Sequence, residues 1–355
     1  MIFDPKQVSV DSPRDMNIQK LGACCAALSI LLPMAASAQS RFATSVTNFN
    51  QGAGGGIFDT NLILAGPLGG GMGSGSLDVL SLGAGGDVTL AFDVTIADGP
   101  GADFTVFENG IALGNSVFTE LCFVEVSTNG IDFARFPTRY SGPAGPLDVF
   151  GTLPYGTCAG MPGQMPVMSN VMTNTINPFN PVVSGGESMD LADLANDSLV
   201  QQGLVDLDAV HYIRLLDIVE GVHQDTLGNT IWDNGGAFGS ADVDAVAVIQ
   251  HAGNQHPGAP MVDLFIDSLG FLHCTIADPD GLGDLDWNTL SVSFNLIPLP
   301  FQRLRDFFTA LGGSATELHL ASPNPLSSTQ IQGVLSVSVF DDSGLFSGDQ
   351  VSLHP

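Results

Sequence analysis

The stretch Phe123-Val-Glu-Val-Ser-Thr-Asn129-Gly130-Ile-Asp-Phe-Ala-Arg-Phe136 joins two runs rich in aromatic and β-branched residues through an Asn-Gly pair. Asn and Gly accept positive φ, so the pair predicts a type I′ hairpin turn between two strands. The same period-two alternation recurs at Asp87 to Phe92, Phe104 to Phe107 and Leu121 to Val126, and strands also follow at Val210 to Leu216 and Ala245 to Ile249. The last of these lacks polar interruptions, which fits a central strand. Further strands are expected near Phe271 to Ala277, Leu290 to Leu296, Gly333 to Phe340 and Asp349 to Leu353. Helical periodicity is confined to Leu191 to Asn196 and Phe301 to Leu311. The expected class is all-β: a jelly-roll-like sandwich over residues 39–252, a linker at 253–260 where His, Gly and Pro cluster, and a smaller immunoglobulin-like sandwich over 261–355. Residues 142–181, rich in Pro, Gly, Met and Asn, read as a long wrapping loop.

Upstream, Met16 opens a segment with Lys20, an apolar run from Leu21 to Met34, and Ala36-Ser37-Ala38. This is the layout of a secretory signal peptide over 16–38, with 1–15 as upstream translation, and it implies a secreted, extracellular or cell-surface protein. Beyond Ala38 the basic residues are six arginines, at 41, 135, 139, 214, 303 and 305, with no lysine, and the whole chain carries a net charge of −28. Such a surface repels phosphate backbones and anionic lipid, which argues against nucleic-acid and membrane-surface partners and favours bound cations. Of five cysteines, Cys24 and Cys25 fall in the signal segment and three, 122, 158 and 274, follow Ala38 and permit one bridge; Cys122 with Cys158 is the expected pairing, with buried thiols as the alternative.

The strands Val124 to Phe133 and Val210 to Leu216 resemble the signature strands of galactose-binding-like jelly rolls of the discoidin and carbohydrate-binding-module type. Ser81 to Asp93, Asp98 to Asn109 and Asp242 to Ile249 together resemble a family of bacterial secreted cell-surface proteins. The resemblance covers roughly residues 43 to 250 and implies an exported β-sandwich; it supplies no catalytic residues. Asp278 to Asp286 and Asp341 to Asp349 make the tail similar to immunoglobulin-like or cadherin-like modules.

Closely spaced carboxylates next to glycine suit hard cations with oxygen ligands. Asp278, Asp280, Asp284 and Asp286 form one such loop, without the closing Glu of an EF-hand. In the first domain the candidates are Asp98, Asp103, Glu108 and Asn109 and, downstream, Asp217, Asp233, Asp242 and Asp244. Should Glu108 fall beside Asp242 or Asp244, those carboxylates must be paired, protonated or metal-bound, and arginines are too few to pair them all. Calcium is therefore the expected ion. Trp232, in a polar loop, and Tyr212 with Arg214, on one strand face, are the candidate ligand contacts. Histidines are scattered and neither a His-Glu-x-x-His nor a Gly-x-Ser-x-Gly pattern occurs, so no catalytic residue is assigned. These features point to a calcium-stabilised binding or adhesion module for a glycan or cell-surface partner. The alternatives are a structural surface protein without a specific ligand and, third, a polysaccharide-active hydrolase or accessory.

Overall fold

The computed structural model describes residues 39–147, 151–234, 239–254, 256–300, 307–328 and 331–354. The expected signal peptide lies outside these. The fold is all-β. In the first half, a five-stranded antiparallel sheet runs in the order Ala43–Asn50, Asp87–Ile96, Val210–Asp217, Cys122–Ser127, Ala134–Arg135. Against it lies a four-stranded sheet ordered Glu187–Met189, Phe104–Glu108, Asp242–Val248, Leu80–Ser81. Alternation decides what each sheet buries: Val88, Leu90, Val124, Val126, Ile213 and Leu215 from the first meet Phe104, Val106, Val243, Val246 and Val248 from the second in one core. Strand 242–248 is interior to its sheet, as its unbroken apolar run requires.

The second half repeats the architecture. Met261–Ile266, Leu272–Ala277, Glu317–Ala321 and Thr309–Gly313 form one sheet, and Ile297–Leu299, Leu285–Phe294, Gly333–Asp341 and Phe346–Leu353 the other. Val262, Cys274, Ile276, Leu335, Val337 and Val339 fill the space between. The two halves are joined by more than chain continuity. Ala102 N donates to Gly348 O at 3.2 Å, Ser188 N to Gln350 Oε1 at 3.1 Å, and Ser293 Oγ to Val182 O at 2.9 Å.

Three local expectations are corrected. The hairpin after strand 122–127 is present, with Glu125 opposite Arg135, but Asn129 does not take positive φ; only Gly130 does, at 74°. Instead the Asn129 Oδ1 accepts from Ile131 N and Asp132 N at 2.8 and 2.9 Å, an Asx turn that spends the side chain on the backbone and lengthens the loop. Asn129→Ala should therefore cost about 1 kcal/mol, comparable to a lost cap, measured by denaturant midpoint at constant slope. The cysteines are all free and buried, so Cys122 and Cys158 do not pair; each is packed as a small hydrophobe in a different apolar cluster. Finally, Leu191–Leu194 is a short 3₁₀ helix as its pattern suggested, but Thr309–Gly313 is a strand; residues 301–306 of that candidate helix lie outside the described residues. Pairing with Glu317–Ala321 satisfies its backbone more completely than an isolated turn of helix could.

The long 142–181 segment wraps the first sandwich, burying Met161, Met165 and Val167. The short helix Pro181–Ser184 that follows ends at Gly185, φ 73°, where a Cβ would stand 1.9 Å from Pro166 O, a place only glycine can occupy.

Candidate metal centres

Antiparallel pairing gathers acids at one end of the first sandwich. Glu108 ends its strand where Asp242 opens the neighbouring one, and Asp217 ends another beside Cys122, two residues after Glu120. The premise raised from the sequence holds: Asp242 N donates to Glu108 Oε1 at 3.2 Å. Glu108 Oε2 is buried and accepts nothing. Its pKa is driven well up by burial, then by Glu120 and Asp242. Burial and Asp242 likewise push Glu120 up to about 9, against a 3.1 Å bond from Asn234 Nδ2. Asp233, 2% exposed, accepts Leu121 N through Oδ2 and leaves Oδ1 without a partner. Asp217 differs: Oδ2 accepts Gly85 N and Oδ1 accepts Ala241 N, both at 2.8 Å, so it ties two loops together. Burial still raises it to about 7. Asp244 accepts Leu68 N with Oδ1, and its buried Oδ2 has no partner; burial, then Asp78, raises it to about 7. Asn109 is a loop clasp, accepting Ser76 N and donating to Ser76 O.

A second group lies where the halves meet. Asp98, Asp103 and Asp190 bring one carboxylate oxygen each within 4.8 Å of one another, and Asp190 does the same with Asp263 and Asp349. Burial, then Asp349 and Asp103, raises Asp190 to about 10. Two of these carboxylates already serve the backbone with both oxygens: Asp103 accepts Gly99 N and Leu191 N, and Asp349 accepts Leu264 N and Gln350 N.

The third group is built differently. Asp278, Asp284 and Asp341 converge within 4.8 Å at one end of the second sandwich. Asp278 and Asp341 are 0% and 3% exposed. Each spends Oδ1 on its own turn: Asp278 Oδ1 accepts Asp280 N at 2.8 Å, and Asp341 Oδ1 accepts Leu345 N at 2.7 Å and the Ser343 hydroxyl at 2.8 Å. Each leaves Oδ2 buried with no donor. Asp342 N donates to Asp284 O at 2.7 Å, holding the two loops together. Two orphaned anionic oxygens beside a third carboxylate are a donor set a hard cation would complete. Asp280 and Asp286 fall outside this convergence; Asp286 Oδ1 serves Asn288. Asp341, some 60 residues downstream, takes their place. The Asp-Asp-Ser-Gly run was its only sequence signal.

The ligand candidates are also placed. Tyr212 and Arg214 share a strand face, but Arg214 pairs with Glu125 at 2.5 Å and lies 4.0 Å over the Phe133 ring, while Arg135 pairs with the other oxygen of Glu125 at 2.7 Å. Trp232 packs half-buried against a cluster that includes Leu121 and Phe123; Trp287, 39% exposed, donates to Leu282 O. Several histidines serve turns: His223, His251 and His256 accept Val219 N, Gly253 N and Gly258 N through Nδ1.

No protein-family model matches the chain. No curated protein sequence matches it either. Among the described residues no helix is long and apolar enough to cross a membrane.

Proposed function

We propose that this is an exported, calcium-stabilised β-sandwich module that binds a glycan or cell-surface partner without catalysing a reaction on it. The observation that carries the calcium reading is the pair of buried, donorless Oδ2 atoms of Asp278 and Asp341 beside Asp284. Oxygen-only donors on two rigid loops suit Ca²⁺ better than a softer metal. Export rests on the segment at 16–38, and binding on the resemblance to carbohydrate-binding jelly rolls.

The melting temperature of residues 39–355 should rise in calcium relative to chelator at constant ionic strength, by the equivalent of about 2.7 kcal/mol at 100 times Kd. Asp341→Asn should lose most of that rise, because its amide would place a donor or a neutral oxygen where the cation needs charge. An equal shift with sodium at matched ionic strength would reduce the effect to screening. A glycan array probed in calcium then separates a binding module, which gives hits, from a purely structural surface protein, which gives none.

A further inference from the structure

The junction of the two halves contains a cavity of about 220 Å³ whose chemistry is unlike the rest of this molecule. Arg41 lines it. In a chain with a net charge of −28, an arginine is expected to find a carboxylate, as Arg135 and Arg214 do on Glu125. Arg41 has none among the described residues. Its Nε donates to Val248 O at 2.8 Å and its Nη2 to Ile249 O at 2.7 Å, and the guanidinium lies 3.8 Å over the Phe179 ring, itself stacked on Phe42 at 5.3 Å. Those contacts fix the plane of the group and leave its Nη1 hydrogens without a bond among the described residues. Burial alone lowers its pKa to about 10, so it remains a cation at neutral pH.

Around this cation stand Phe340 and Phe346, with ring centroids 4.8 Å apart, and the amide of Asn177; Asn254, also in the lining, is spent on the backbone, accepting His251 N and donating to Ile249 O. Asn177 uses its Oδ1 on Phe179 N, and its Nδ2 makes no bond among the described residues. Aromatic faces for C–H surfaces, the Asn177 amide for a hydroxyl and one fixed guanidinium for an anion form the donor set of an acidic sugar. A second hollow of about 430 Å³, lined by Asp98, Pro100 and His256, shares Gln250 and Ala259 with the first, so the two run on as a groove long enough for more than one ring.

We propose that this junction groove binds an acidic saccharide, with the carboxylate of a uronic acid on Arg41 and the sugar faces against the phenylalanines. The proposal rests on the glycan-binding reading above and names its site and ligand class. The overall negative charge does not forbid an anionic ligand: repulsion from distant carboxylates is screened beyond about 8 Å at physiological ionic strength, the contact with a partly desolvated guanidinium is not, and Asp98, which lines only the second hollow, leaves the acidic group its place at Arg41.

The test is titration calorimetry of residues 39–355 in calcium at physiological salt, with tri-galacturonate and its methyl ester as probes. The acid should bind at least tenfold more tightly than the ester, and Arg41→Gln should erase that ratio. Because Arg41 also holds two backbone carbonyls, Ala259→Trp provides a second variant; it fills the groove while Arg41 itself is unchanged, and should abolish binding of both probes at an unchanged melting temperature. Equal affinity for acid and ester, or wild-type binding by Ala259→Trp, overturns the proposal. Array hits that survive both substitutions overturn the groove while leaving the glycan-binding module standing; a blank array removes both.

Discussion

In chelator, the chain of residues 39–355 should melt at a higher temperature at pH 5 than at pH 9. Folding raises the pKa of Asp217 and Asp244 to about 7, Glu187 to about 8 and Glu120 to about 9, in each case chiefly through burial. In the unfolded chain these groups titrate near 4. The native state therefore binds more protons between pH 4 and pH 9, and stability falls as pH rises through that window. The stabilisation is complete below the unfolded values and is lost as each folded pKa is passed. For a buried group such as Asp217, 1% exposed, a rise of roughly three pH units is worth at most about 4 kcal/mol. Neighbouring acids titrate together, so the total is less than the separate ceilings would give. Asp225 works in the opposite direction. Burial raises its pKa, but bonds from Tyr140 N, Leu227 N, Asn229 N and the Asn229 amide outweigh that and lower it, so its contribution is lost only as pH falls through the acid range. Melting curves from pH 5 to pH 9 in chelator decide the matter: a temperature that climbs across that range would mean the acids are solvated or paired, and the account of the acidic end would fail.

The β class could be read from the sequence because alternation is a local property that Val210–Asp217 carries within its own length, whereas Phe104–Glu108 is buried throughout and reads as a strand by its β-rich residues alone. Thr309–Gly313 was not legible, since Gly312 and Gly313 give no alternation and the strand is defined by its partner. The metal groups divide in the same way. Asp278 and Asp284 are six residues apart and advertise a turn; Asp341 reaches them only because Gly333–Asp341 pairs with Leu285–Phe294, bringing Leu285 opposite Asp341. Asp190, Asp263 and Asp349 belong to three separate elements, and no spacing rule could unite them. Arg41 carried a different kind of signal. The whole-chain charge predicts a carboxylate beside it, and only the fold shows none there among the described residues.

The same chemical change at two buried acids should move stability in opposite directions. Glu108 accepts one backbone donor through Oε1 and leaves Oε2 buried without a partner, among acids that raise its pKa. Glu108→Gln keeps the acceptor for Asp242 N, removes a charge from the interior and directs an NH₂ toward neighbouring carboxylates, so in chelator at pH 8 it should stabilise by about 1–3 kcal/mol. Asp217 accepts a backbone N–H on each oxygen. Asp217→Asn must turn its amide nitrogen toward either Gly85 N or Ala241 N, donor against donor, and the unsatisfied buried group should cost about 1–3 kcal/mol beyond any relief of charge. The pair controls for generic effects of isosteric neutralisation, since both substitutions remove one negative charge at a buried position. If both variants melt higher, charge alone governs this end of the sandwich and the hydrogen bonds of Asp217 contribute little. If both melt lower in chelator but Glu108→Gln also loses part of the calcium response, then Glu108 serves a cation through Oε2, and the acidic end joins Asp278, Asp284 and Asp341 as a metal centre.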